Sequence, residues 1–173
     1  MYFAGTLPAS LGASEWDSLI SFNVASNSLH GTIPPALLRV PSLRDVDLSD
    51  NRLSGALPSS LTPSLDNLNL RINLLNGTFP ADLCTAPCGL VNLHLGQNQL
   101  HGKLPENFEN VSNLNSLDLS GCLMTGSLPA GMQALGKLQS VVFTDNLFSG
   151  SVDAVLSLPR LSNLLLDRNR LTT

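Results

Sequence analysis

The chain has 173 residues, of which 43% are hydrophobic and 13% charged, and a formal net charge of −4. That length is one domain's worth, and the composition is far from the apolar-poor, charge-rich signature of disorder. No Lys/Arg run offers a face to a phosphate backbone, which excludes nucleic acid as a partner; no stretch approaches the roughly 18 apolar residues of a membrane span; and three cysteines are too few for a disulfide scaffold.

Leucine fills 37 positions, and most of them recur in register. The opening MYFAGTLP has the form of a repeat's tail, with Phe3, Gly5, Leu7 and Pro8 in the places later units give them. In chain order there follow VASNSLHGTIP, LSDNRLSGALP, LRINLLNGTFP, LGQNQLHGKLP, LSGCLMTGSLP and FTDNLFSGSVD, then LDRNRL. Their anchors are Asn27, Asn51, Asn73, Asn98, Cys122, Asn146 and Asn169, spaced 22 to 25 residues apart. A fixed period of this size is the mark of a solenoid of stacked coils.

Each unit carries the same elements. Apolar residues stand five and three positions before the anchor (Val46 and Leu48, Leu68 and Leu70, Leu93 and Leu95), alternating with polar ones, and predict a short strand with one buried face. The anchor amide, turned inward, would bond backbone groups of the turn, and stacked units would build an asparagine ladder with Cys122 in one rung. Another apolar column follows two residues on. Glycines four past the anchor (Gly31, Gly55, Gly77, Gly102, Gly126, Gly150) imply positive φ or close approach between coils. Prolines three residues later (Pro34, Pro58, Pro80, Pro105, Pro129) suit the start of a short helical turn. Leu37, Leu61, Leu83, Phe108, Met132 and Leu156 would close the core from that side; Asp153 stands where the sixth unit lacks its proline, so a looser turn is expected there.

These columns, read from Leu43 to Pro58 as LRDVDLSDNRLSGALP, closely resemble the plant-type leucine-rich repeat, over essentially the whole chain. The family is best known from ectodomains of plant receptor-like kinases and receptor-like proteins and from polygalacturonase inhibitors, and similar GxLP repeats occur in protist surface antigens. The resemblance implies a right-handed α/β solenoid with a parallel concave sheet and short helical or 3₁₀ turns on the convex side. It also implies recognition of a protein or peptide by the concave or lateral surface, in the extracellular part of a receptor-like protein. A secreted inhibitor, an adhesion antigen or an architectural spacer would use the same geometry. Residues 1–173 are expected to form one domain of about seven repeats. The family's cysteine-paired caps, signal peptide and membrane helix have no counterpart in the sequence, which is expected to be an internal piece of a longer protein.

Polar strand positions would form one continuous surface, about 30 Å across for seven strands. Asp45, Asp47 and Asp50 share a strand and its exit, with Arg71 one rung away: either an acidic patch for a basic ligand or weak calcium site, or a solvated face with a cross-strand ion pair. His94, flanked by Asn69 and Asp118, is either a ligand contact and pH-sensitive group or an ordinary surface histidine. Val142 and Leu165 make a small apolar spot. No aromatic residue stands in these columns, which argues against an aromatic hot spot.

Cys84 and Cys88, in DLCTAPCGL, either close a local disulfide or remain thiols; a zinc site would need further ligands, and Cys122 is expected to be a buried, inert thiol. Asn76-Gly77-Thr78 and Asn110-Val111-Ser112 are glycosylation acceptor sequences if the chain enters a secretory pathway. GxSxG, HExxH, P-loop and GxGxxG patterns are absent, and no cofactor or catalytic metal is implied.

Overall fold

The computed structural model describes residues 2–13, 16–84, 87–106 and 108–172. Thr85 and Ala86, inside the CxxxC segment, and the terminal Met1 and Thr173 lie outside them. Every coil contributes one strand to each of two parallel sheets. The strands are, in chain order, β1 (Ala4–Thr6), β2 (Ser21–Asn23), β3 (Ser28–Thr32), β4 (Asp45–Asp47), β5 (Arg52–Gly55), β6 (Asn67–Asn69), β7 (Leu74–Thr78) and β8 (Asn92–His94). They continue with β9 (Gln99–Gly102), β10 (Ser116–Asp118), β11 (Leu123–Gly126), β12 (Ser140–Val142), β13 (Leu147–Ser151), β14 (Asn163–Leu165) and β15 (Arg170–Thr172). The even-numbered strands form a seven-stranded sheet and the odd-numbered ones an eight-stranded sheet, both in coil order.

The seven-stranded sheet pairs without slip, so Asp45, Asn67, Asn92, Ser116, Ser140 and Asn163 stand directly beside one another. The second sheet is staggered by two residues from coil to coil, as in the pairings His30 to Arg52 and Ser149 to Arg170. This second sheet is absent from the sequence expectation of one sheet backed by helical turns. Helix is correspondingly scarce: among the described residues there are 3₁₀ turns at Leu37–Arg39, Glu109–Val111 and Ala130–Ala134 and one α-helical turn at Asp153–Leu156.

Between the two sheets the chain turns a corner. The residue before each anchor sits in the left-handed region, with φ from 54° to 58° at Ser26, Asp50, Ile72, Gln97, Asp145 and Arg168. The anchor amide then ties the corner together. Asn98 donates from Nδ2 to the carbonyls of Leu95 (2.8 Å) and Gly96 (3.4 Å) in its own coil and of Leu70 (2.9 Å) in the preceding one. Its Oδ1 accepts the Leu75 N–H at 3.0 Å. The same acceptor bond joins Leu29 to Asn51, Leu53 to Asn73, Met124 to Asn146 and Phe148 to Asn169. Each amide thus satisfies backbone groups of two coils at once, where burial would otherwise leave them without partners.

Glycine four past the anchor has two reasons to be there. At Gly55 φ is +86°, and a Cβ would lie 2.9 Å from Cγ2 of Thr32 on the neighbouring coil. The core runs between the sheets as stacked files: Leu48, Leu70, Leu95 and Leu119, and Leu53, Leu75, Leu100, Met124 and Phe148, are all fully buried. At both ends the files continue with half-buried Phe22, Val24, Leu164, Leu166 and Leu171.

The sixth unit departs from the sequence reading. Leu156 is 60% exposed, and Val155 fills the core in its place. Residues 153–156 wind as an α-helical turn, neither loose nor 3₁₀, and the inward position there lies one residue earlier than in the other units.

Candidate recognition surface

Bonds to neighbouring backbone and side chains hold most of the outward side chains of the seven-stranded sheet. Six before the anchor, Asn67 donates to Asp45, and Asn92 donates to Oδ1 of Asn67 at 2.5 Å. Further along the column Asn163 donates to the Ser140 hydroxyl at 2.9 Å. This file is a cross-strand polar chain running perpendicular to the strands.

The column four before the anchor does a different task. Oδ1 of Asn23, Asp47, Asn69 and Asp118 accepts the N–H two residues on, from Ala25 (2.9 Å), Ser49 (3.0 Å), Arg71 (3.3 Å) and Ser120 (2.8 Å). These are Asx turns, which close each strand as it enters the corner. The signal was visible as Asx-rich positions two residues ahead of a backbone that leaves the sheet. Asp47, Asn69 and Asp118 therefore carry a local structural bond as well as an outward face.

Arg71 finds its partner two strands away. Its Nη1 lies 3.2 Å from Oδ2 of Asp118, and the acidic strand Asp45–Asp47 is not its ion-pair partner, against the expectation of a neighbouring-rung pair. In the intervening coil, just past β8, Gly96 carries no side chain; a Cβ there would stand 2.8 Å from Oδ1 of Asp118 and 2.6 Å from the Ser120 hydroxyl. Asp118 is 7% exposed at its side chain and Arg71 42% exposed, so the carboxylate is buried beneath a half-open cation. Among the described residues no three His, Cys, Asp or Glu side chains converge as a group.

His94 sits in register between Asn69 and Asp118, with Nε2 3.0 Å from the Ser116 hydroxyl. Burial pushes its pKa below the ordinary 6.5; the Asp118 carboxylate opposes that shift, Arg71 adds to it, and Asp47 opposes it weakly. Val142 and the 45% exposed Leu165 are direct neighbours in the sheet. Beside them Thr144 donates to Asp167 at 2.8 Å, and Arg168 pairs with Asp145 at 2.5 Å and with Asp167 at 3.5 Å.

The remaining candidates lie elsewhere. Cys84 and Cys88 are joined as a disulfide. Cys122 is buried in the ladder, its Sγ 3.7 Å from the Leu95 carbonyl and 3.8 Å from that of Ser120, and burial pushes its thiol up to about 11. Asn76 is in β7 of the second sheet and Asn110 in the 3₁₀ turn Glu109–Val111.

Stacked coils of about 24 residues, an internal amide ladder and an open polar sheet define a leucine-rich repeat solenoid. The Leucine Rich Repeat family profile matches residues 42–63, 89–111 and 113–135. Over 152 residues the chain is 35% identical to Receptor-like protein 18 of Arabidopsis thaliana, an alignment taking in 74% of this chain and 18% of that protein. It superposes on the crystal structure of a TDR receptor with a TM-score of 0.91 and 31% identity, covering 98% of this chain and 30% of the other. The leucine-rich repeat ectodomain of the membrane receptor kinase GASSHO1/SCHENGEN3 from Arabidopsis thaliana, solved with Casparian strip integrity factor 2, gives 0.87 at 33% identity, covering 98% and 20%. The chain belongs to the plant-type leucine-rich repeat family. It spans less than a fifth of the length of Receptor-like protein 18.

Proposed function

We propose that this chain is a stretch of an extracellular or cell-surface recognition domain that binds an extended peptide or a protein segment across its seven-stranded sheet, with no catalytic step of its own. The observation that carries the reading is the sheet's unslipped register, which lines up rows of polar side chains over seven coils. An extended chain laid across such rows meets donors and acceptors at a constant interval of about 4.8 Å. The half-open Arg71 head and the His94 ring stand at the centre of this band and offer it a cation and a titratable group. The complex of GASSHO1/SCHENGEN3 supports the reading by analogy, as do the receptor-like relatives. Among the described residues no helix is long and apolar enough to cross a membrane.

The test is selection of binders from a displayed random-peptide library, followed by affinity measurement on sheet variants. Asn92→Lys and His94→Glu should weaken the selected peptides at least tenfold, a loss of about 1.4 kcal/mol. Arg160→Glu, at an exposed site outside both sheets, should leave affinity unchanged. Peptides insensitive to both sheet variants would contradict the assignment.

A further inference from the structure

We propose that two copies of this chain associate side by side along the corner between the two sheets, about a two-fold axis that runs parallel to the stack of coils.

The corner has a simple geometry. In the coils of Asn51, Asn73 and Asn98 the anchor is buried while the residues on either side of it are exposed. The residues before the anchors form one file along the stack and the residues after them a second. A two-fold axis parallel to the stack keeps the order of the coils and exchanges the files. The residue before an anchor in one copy then meets the residue after the same anchor in the other, and each such contact is made twice.

Four successive coils match under that exchange. In the first, Asp50 and Arg52 flank Asn51, and neither has an ion-pair partner among the described residues. The exchange sets Asp50 of each copy against Arg52 of the other, and opposite charges of this kind hold two surfaces in register.

In the second coil, Ile72 is 49% and Leu74 45% exposed, and the exchange covers both with aliphatic contacts. Ile72 is the residue that most needs an explanation. It holds a φ of 55°, a region that β-branched side chains avoid, whereas the other non-glycine corners hold Ser, Asp, Gln or Arg. A strained backbone that shows a branched apolar side chain to water has no use in the packing of a single copy, and a covering surface supplies one.

In the third and fourth coils the Gln97 amide lies across Gly121, in the space a Cβ at that glycine would need. The two residues give a low surface against which Leu123 of the other copy, 53% exposed, closes. The match ends in the next coil, where Asp145 is already bound to Arg168 of its own chain. The four coils span about 14 Å along the stack, which places the contact among small, transient interfaces.

Sedimentation equilibrium of the purified chain from about 1 μM to about 1 mM tests the proposal. The mass should rise from one chain toward two and stop there, because a two-fold contact closes. Arg52→Glu alone and Asp50→Arg alone each set like charges against one another twice and should weaken association by about tenfold or more. The backbone accepts arginine at the second site, since Arg168 holds the equivalent corner at a φ of 55°. An equimolar mixture of the two variants restores opposite charges at both contacts and should recover the wild-type association. Leu74→Glu, at a site open to solvent in the free chain, should weaken association as well and decides the matter if a charge variant does not fold by circular dichroism. A chain that keeps the mass of one copy at every concentration overturns the proposal. So do growth past two chains, association indifferent to these substitutions, and a mixture that fails to recover.

Discussion

Arg71 pairs with Asp118 at 3.2 Å across the intervening coil, linking β6 and β10, two strands that are not neighbours in the sheet. Gly96, in the coil between them, leaves room for that carboxylate: a Cβ there would stand 2.8 Å from Oδ1 of Asp118.

Gly96→Ala should therefore destabilise the protein by about 1–3 kcal/mol through overpacking. Arg71→Ala should cost about 1–2 kcal/mol, less than a fully buried pair, because the cation is half in water while the carboxylate keeps the Ser120 N–H. Urea unfolding checks both, and a double variant less destabilised than the sum of the two would show that they act on one interaction.

The ladder makes a pair of predictions of opposite sign. Asn98→Ala strips partners from the Leu75 N–H and from the Leu70 and Leu95 carbonyls and should cost about 2–4 kcal/mol. Cys122→Asn replaces a weak sulfur partner, which faces the Leu100 N–H, with an amide oxygen and should stabilise by about 0.5–1.5 kcal/mol. Denaturation midpoints of the two variants give the answer, and equal shifts would contradict the ladder.

His94 gives the sheet a pH dependence whose direction is fixed. Burial lowers its pKa in the folded state, so the unfolded chain takes up the proton first as pH falls. The stability carried by the neutral ring is fully present above 6.5 and is lost as pH falls from there through the lowered folded value. His94→Gln should flatten the stability curve in that window. Asp118→Asn removes the main opposing charge and should lower the His94 value further, as an NMR titration would record.

The period, the strand columns and the core files were legible in the sequence because one residue type recurs at one register, as Leu48, Leu70, Leu95 and Leu119 do. The second sheet was not, because its columns mix Ser, Arg, Leu and Gln at the outward position and depend on backbone pairing that no side chain announces. Val155 takes the core position expected of Leu156, in an α-helical turn that the spacing of the other units does not announce. In the sheet, the residue types on the outward face could be named, but their engagements could not. Asp47 and Asn69 bond their own backbone two residues on, and Arg71 passes over the neighbouring coil to a carboxylate two strands away. Such partners are set by three-dimensional stacking, beyond the reach of spacing within one unit.

The most direct measurement of where recognition occurs is amide hydrogen exchange on the chain with and without a selected peptide. Recognition across the seven-stranded sheet predicts slowed exchange at the corners that follow β4, β6, β8 and β10, around Ser49, Arg71, Gly96 and Ser120. Protection confined to the eight-stranded sheet or to the helical turns would contradict it.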